Sequence, residues 1–203
     1  MMVKIIVCIL ISVSVYAQEN QIDRYPNGKV RSEGKLIKGL KEGKWESYYP
    51  TGNKLSTEYF SAGKLDGEIN YYYPKGGLQA VEHWNEGGLN DSSFYYYESG
   101  TMERKGIYER SQYAGLWKYF HPNGRLERFV SYQDGLPNGE VRVFSEDGVL
   151  IQEGFYRNGK ESGDWKFYDE TGRPTYMGSY VNGERSGDWF EYDRKGRKKI
   201  WKY

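Results

Sequence analysis

The chain has 203 residues, with 29 Lys and Arg against 28 Asp and Glu, one cysteine and 26 glycines. A net charge of +1 gives no electrostatic case for nucleic acid, and one cysteine excludes a disulfide within the chain. A mean hydropathy of −0.87 means that little of the sequence is deeply buried.

Residues 1–17 read as a secretory signal. Lys4 supplies the positive start, Val3 and the run Ile5 to Val15 the apolar stretch, and Val15-Tyr16-Ala17 a small-residue cleavage site before Gln18. The apolar stretch is shorter than the roughly 20 residues that cross a bilayer. Cleavage after Ala17 would remove Cys8, the only cysteine, and leave a charge-balanced chain, residues 18–203, in a secreted or periplasmic location. Cys8 also lies too early to accept a lipid at a lipoprotein cleavage site.

Beyond the leader the chain is an array. Gly28, Gly52, Gly76, Gly100, Gly124, Gly148, Gly172 and Gly196 stand 24 residues apart, a period at which each unit is too small for its own core and must lean on its neighbours. Each of these glycines ends a turn, as in Tyr25-Pro-Asn-Gly28, Tyr49-Pro-Thr-Gly52 and His121-Pro-Asn-Gly124, where proline pre-sets the backbone and glycine accepts positive φ. A second turn lies half a period on, around Gly39, Gly63, Gly87, Ser111, Gly135, Gly159 and Gly183. Two turns per unit leave room only for strands, and the intervening residues alternate and are rich in Tyr, Trp, Phe and Val. The expected fold is all-β: an elongated single-sheet array of seven to eight β-hairpins, an antiparallel meander of roughly 15 strands and on the order of 70 Å long.

A pairing rule shows on comparing units with one another. Trp45, Trp117, Trp165 and Trp189 share one phase, and Gly34, Gly106, Gly154 and Gly178 lie 11 residues before them. Units without the tryptophan, at Ile69, Ser93 and Val141, have Glu58, Glu82 and Val130 in place of the glycine. Pairing about the Gly39-type turn would set Gly34 against Trp45, so that the indole covers a backbone with no side chain of its own. The same register expects Leu36 opposite Gly43, Phe60 opposite Gly67, Tyr108 opposite Gly115, Tyr132 opposite Gly139, Tyr156 opposite Gly163 and Tyr180 opposite Gly187. The rival expectation is that these glycines serve bulges beside the turn.

Asn158-Gly-Lys-Glu-Ser-Gly-Asp-Trp165 and Asn182-Gly-Glu-Arg-Ser-Gly-Asp-Trp189, each followed by aromatics and a turn glycine, resemble the MORN repeat, and most closely its bacterial variant. That resemblance covers nearly everything from Arg24 to Tyr203. It implies a β-hairpin array used as scaffold or binding surface, with a toxin as protein partner where the variant serves as an antitoxin and lipid as partner for other members; it carries no catalytic residues. The leader separates this chain from a cytoplasmic antitoxin and fits an exported immunity protein. The third unit departs from the pattern: Asp91 stands for glycine, Ser93 for tryptophan and Trp84 for tyrosine.

No constellation for catalysis, metal or cofactor emerges. His83 and His121 occupy different phases with no second ligand at zinc spacing, and His121 stands where Tyr49, Tyr73 and Tyr97 stand. Carboxylate pairs such as Glu161 with Asp164, and Asp169 with Glu170, recur with the units, which is the mark of turn chemistry. There is no phosphate-cradling loop and no nucleophile elbow.

The chemical excess is aromatic: 21 Tyr, 8 Phe and 6 Trp. A thin ribbon cannot hide rings on both faces, so one aromatic face is expected to meet a protein, a glycan or a second copy of the chain. Trp84, Tyr95, Tyr96, Tyr97 and Tyr119 are the expected partner-binding residues. The basic segment Arg194 to Lys199 guards the last strand or binds an anionic surface, and the open sheet edges permit self-association. The expected function is that of an exported, non-enzymatic protein-binding scaffold or immunity factor. The alternative is an envelope module that binds lipid or polysaccharide through aromatic and basic residues.

Overall fold

The computed structural model describes residues 18–202, and every regular element among them is a strand. The signal expected over residues 1–17 lies outside the described residues. The strands are β1 (Gln18–Arg24), β2 (Val30–Ile37), β3 (Leu40–Tyr48), β4 (Lys54–Ser61), β5 (Lys64–Leu65), β6 (Gly67–Tyr72), β7 (Leu78–Asn85), β8 (Gly88–Leu89), β9 (Asp91–Tyr96), β10 (Met102–Glu109), β11 (Gln112–Phe120), β12 (Leu126–Gln133), β13 (Leu136–Phe144), β14 (Leu150–Arg157), β15 (Lys160–Tyr168), β16 (Pro174–Val181), β17 (Glu184–Tyr192) and β18 (Lys198–Trp201). They form one 18-stranded sheet in which strands pair antiparallel in chain order. β5 with β6, and β8 with β9, are halves of one strand interrupted at Asp66 and Asn90. The chain is thus a single open meander, as its period and turn chemistry require.

Both long margins of the ribbon are laced. On one margin the hairpins close through two-residue turns such as Lys38-Gly39, with φ of 55° and 76°, the positive pair that matches the twist of the flanking strands. Each such turn also reaches its neighbour: Gly63 N–H donates to Lys41 O at 2.9 Å, Gly87 to Leu65 at 2.8 Å and Gly159 to Pro137 at 2.8 Å. On the other margin the turn tyrosine does the same work. Tyr25, Tyr49, Tyr73 and Tyr97 donate their hydroxyls to the carbonyls of Tyr48, Tyr72, Tyr96 and Phe120 at 2.7–2.9 Å. His121 continues the row through Nε2 to Phe144 O, 2.9 Å. Beyond it Asp169 and Asp193 cap their own turns instead, accepting from Arg173 N–H and Arg197 N–H at 3.0 Å.

The spine between the margins is indole on glycine. Trp45, Trp117, Trp165 and Trp189 are at most 1% exposed, although no second layer covers the sheet. They are buried by lying on the adjacent strand: a Cβ at Gly34, Gly106, Gly154 or Gly178 would fall 2.2–2.3 Å from the facing indole, where no atom fits. Three indoles also donate Nε1–H across the strand, to Lys35, Ile107 and Ser179 carbonyls at 3.0–3.2 Å; that of Trp165 is buried without an acceptor among the described residues. Rings from the same and the adjacent strand close the sides, with Tyr108 of β10 and Tyr113 of β11 edge-on to Trp117 at 5.0 and 4.3 Å.

The register expected within each hairpin holds only on the tryptophan side of the slip. Ser32 and Glu33 pair with Ser47 and Glu46, but the ladder then slips, and Lys35, Leu36 and Ile37 pair with Glu42, Lys41 and Leu40. Leu36 is therefore not opposite Gly43. Phe60 likewise pairs with Leu65, Tyr108 with Tyr113, Tyr132 with Pro137, Tyr156 with Glu161 and Tyr180 with Arg185. The reason is a bulge: Gly43, Lys44 and Trp45 together span the place of Gly34, with Gly43 at φ 66°, and such an insertion bends the strand. The two expectations thus divide between two glycine phases, Gly34 taking the ring and Gly43 the bulge. The checkerboard exists one strand further on, where Gly43, Gly67, Gly115, Gly139 and Gly163 face Phe60, Trp84, Tyr132, Tyr156 and Tyr180 across the next pairing.

Val130 and Val141, both buried, fill the same two phases as Gly154 and Trp165 without an indole. Gly154→Val should cost about 3 kcal/mol by overpacking, and Trp165→Val about 3 kcal/mol by leaving a cavity. The double variant should cost less than the two together by at least ~1 kcal/mol. Urea titrations of the four proteins measure the coupling; strict additivity would contradict the indole-on-glycine account.

Candidate functional site

One row of residues crosses the whole ribbon on the indole face, and its composition changes along the way. Cross-strand pairing links Ser32, Ser47, Ser56, Tyr71, Ala80, Tyr95, Arg104, Tyr119, Arg128, Val143 and Gln152 in single file. Its first strands carry small hydroxyls; its centre alternates Tyr95, Arg104, Tyr119 and Arg128. The repeat phase that holds Arg104 and Arg128 holds Ser32, Ser56, Ala80, Gln152 and Tyr176 in other units, so the hairpin does not need arginine there.

Each arginine lies on a ring. The Arg104 guanidinium stands 3.9 Å over the Tyr95 ring and that of Arg128 4.3 Å over Tyr119, within the range where a cation is held by an aromatic face. Tyr95 donates its hydroxyl to Glu82 Oε1 at 2.8 Å, and its oxygen lies 3.3 Å from the Tyr108 hydroxyl. Trp84 donates Nε1–H to the other oxygen of Glu82 at 3.1 Å. Glu82 stands in the phase that is glycine in four other units, so the irregular third unit supplies the anchor of this cluster. Ser93, at the tryptophan phase, is fully buried with its hydroxyl unpartnered among the described residues. A shallow cleft lined by Tyr71, Glu82, Tyr95, Glu103 and Arg104 opens beside the row.

Burial pushes the Tyr71 and Tyr95 phenols up to about 12, with the Glu82 carboxylate adding to both and the Tyr108 hydroxyl partly offsetting the effect at Tyr95. Tyr108 and Tyr119 are raised as well, first by burial and then by the hydroxyls of Tyr95 and Tyr132 respectively. These groups are neutral hydrogen-bonding surface at physiological pH. They do not offer a base.

The five tyrosine and tryptophan positions singled out in the sequence therefore separate. Trp84, Tyr95 and Tyr119 share the indole face and this cluster. Tyr96 follows Tyr95 on β9 and points to the opposite face, and the Tyr97 hydroxyl is spent in lacing the margin. Glu82, Tyr108, Arg104 and Arg128 belong to the cluster and were not singled out, although two arginines in one repeat phase were a readable departure. His83 bonds Ser92 O through Nδ1 at 2.7 Å, and Asp164 accepts from Ser179 Oγ at 2.6 Å. In the basic terminal segment Arg197 pairs with Asp193 at 2.6 Å and Lys199 with Glu191 at 2.8 Å.

Comparison with known proteins places four of these units in a family. A family model described as MORN repeat variant matches residues 41–62, 114–134, 137–158 and 161–182. The matched unit runs from one two-residue turn to the next: three matches end at Asp134, Asn158 and Asn182 and the first at Ala62, all first turn residues with φ near 50°. No curated protein matches the chain. Two solved structures that do match are those titled Crystal Structure of TcdB2-TccC3 and Crystal Structure of TcdB2-TccC3-Cdc42, each 12% identical over 86% of this chain at a TM-score of 0.20. The chain spans 13% of the length of those chains, and a likeness at that level carries no weight for function.

A phenol held neutral in the folded state above its unfolded value near 10 stabilises the fold fully below that value, and the contribution is lost as pH rises toward the folded value. The chain should therefore hold its stability up to about pH 10 and lose it as pH rises toward 12, the value for Tyr71, Tyr95 and Tyr168. Denaturant midpoints against pH, with tyrosinate absorbance as a second readout, check this; a flat midpoint through that window would contradict the burial of these phenols.

Proposed function

We propose that this chain, a MORN-repeat protein of the variant class, is an exported, non-enzymatic scaffold of the antitoxin or immunity type, which binds a protein partner on the indole face at mid-ribbon. The observation that carries the reading is the Tyr95-Arg104-Tyr119-Arg128 row. It is the stretch where consecutive units abandon the small or neutral residues of their phase for arginine, and tyrosine, tryptophan and arginine dominate the energetics of protein interfaces. The rings are held by Glu82, Tyr108 and Tyr132, so a partner meets a surface whose rotamers are already fixed. Export rests on the leader sequence of residues 1–17 and is tested by fractionation with an N-terminal sequence of the mature protein.

A second reading has its own observation on the opposite face. Lys105 and Lys118 stand directly opposite each other between Phe94 and Phe129, an arrangement that like charges disfavour, and neither makes a salt bridge among the described residues. Beside them Ile107 and Leu116 are 43% and 46% exposed. Paired cations with apolar shoulders suit an envelope surface, either anionic lipid or polysaccharide.

The two readings separate by mutation. Ser47 shows that the phase of Tyr95 and Tyr119 accepts serine in a sister unit. Tyr95→Ser with Tyr119→Ser should therefore weaken a partner captured by the wild-type chain by about 100-fold, two hot-spot losses, with the sheet still formed by circular dichroism. Lys105→Gln with Lys118→Gln should leave that complex intact and abolish salt-sensitive sedimentation with envelope fractions if the second reading holds. Undiminished partner affinity of the tyrosine variant, measured by calorimetry, would refute the indole-face site.

A further inference from the structure

The guanidinium groups of Arg104 and Arg128 are oriented by the rings beneath them and only loosely paired. Neither donates a hydrogen bond to any described residue, and Arg104 Nε is buried with no acceptor. Each guanidinium carries five N–H donors, more than the described residues take up. The nearest carboxylates belong to the preceding residues: Glu103 Oε2 lies 3.5 Å from Arg104, and Glu127 Oε1 lies 3.9 Å from Arg128. Charge-assisted hydrogen bonds run at about 2.7–2.9 Å, so these glutamates balance the charge and leave the forks open.

Resting on the protein-binding reading above, we infer that Arg104 and Arg128 are a two-pronged receptor for carboxylates on an acidic, extended segment of the partner protein. A guanidinium presents a planar fork that matches a carboxylate in bidentate fashion, and stacking on Tyr95 and Tyr119 fixes the plane of each fork before the ligand arrives. Arg104 and Arg128 are separated by one strand, which carries Tyr119, so the two prongs are about 10 Å apart at the usual strand spacing. Three residues of polyproline II cover about 9 Å, which puts acidic side chains three positions apart in register with both prongs.

The alternatives fit less well. Sugars stack on bare aromatic faces, and here the guanidinium groups already cover the Tyr95 and Tyr119 rings. A phosphate dianion would concentrate two charges at one fork in the field of Glu82, Glu103 and Glu127, whereas two spaced carboxylates bring one charge to each fork and gain two hydrogen bonds at each.

The test uses the purified chain and a fluorescent proline-rich peptide carrying two aspartates three positions apart. Controls are the same peptide with adjacent aspartates, the asparagine version, and polygalacturonate as a glycan carboxylate. Gln152 occupies the same phase in a sister unit, so Arg104→Gln and Arg128→Gln should fold, which circular dichroism checks. The spaced peptide should bind at least tenfold tighter than either peptide control, and each Arg→Gln change should cost about 10-fold or more, the loss of a charged hydrogen-bond pair. Arg104→Lys should cost nearly as much, since an ammonium lacks the fork. Equal binding of adjacent and spaced aspartates, full activity of Arg104→Lys, or arginine-dependent binding of polygalacturonate with none of the peptide would each overturn the inference. If a protein partner depends on Tyr95 and Tyr119 but is indifferent to both arginines, the carboxylate receptor is refuted and the indole-face scaffold stands. If it is indifferent to all four, both fall.

Discussion

A sheet with no second layer must bury its largest side chains against itself, and this chain does so by setting an indole on a strand that has no side chain beneath it. Most of the remaining architecture follows from that contact. The ring needs bare backbone, hence Gly34, Gly106, Gly154 and Gly178, and it needs to lean across the ladder, hence the bulge that Gly43-type residues make at positive φ. Where the ring is missing the glycine is missing too, and Val130 with Val141 or Glu58 with Ile69 fill the same space by other means. Burying a tryptophan removes a large apolar area from water, which a unit of this size has few other ways to achieve. Each unit thus makes its own small core from its own two strands, with help from the rings on either side.

The lengthwise hydrogen bonds give these units their order. Turn glycines lace one margin, and turn tyrosines the other as far as His121. Past that turn, from which Asn123 and Arg125 also reach Glu146 O, Asp169 and Asp193 cap their own turns, and among the described residues no side chain of this margin donates to the next turn. Stability so distributed is a sum of local terms and nearest-neighbour terms, and such a sum tolerates a poor unit. The third unit is one: its second strand is interrupted, its tryptophan phase holds a buried serine, and its glycine phase holds Glu82. The same unit anchors the tyrosine and arginine row. A repeat scaffold can carry a unique site only where it breaks its own period, and the break lies beside the strands that carry Arg104 and Arg128.

The period, the two turns and the partnership of tryptophan with glycine were all legible in the sequence, because each is a local matter of turn chemistry or of one phase against another. The register was legible on one side of the slip only. Counting from the Gly39 turn assumes an unbroken ladder, and a bulge shifts every pair between itself and the turn, as Leu36 against Lys41 shows. The partners of Gly43 and Gly67 lay on the following strand, which symmetry about a single turn cannot reveal. Aromatic density singled out Tyr95 and Tyr119, which the structure sets on one face, but could not separate Tyr96, which alternation sends to the other face, or Tyr97, whose hydroxyl is consumed by a carbonyl in the next unit. Arg104 and Arg128 escaped notice because attention to rings ignores a charged residue in a variable phase.

The claim on which this account rests is that each unit is held by its own indole-on-glycine contact and by its immediate neighbours alone. Hydrogen exchange read by mass spectrometry on Gly106→Ala tests it, since a methyl group there has no room beside Trp117. The account expects faster exchange in β10 to β12 and the strands touching them, with β2, β3, β16 and β17 unchanged. Uniform loss of protection along the whole chain would show a single cooperative core and contradict it.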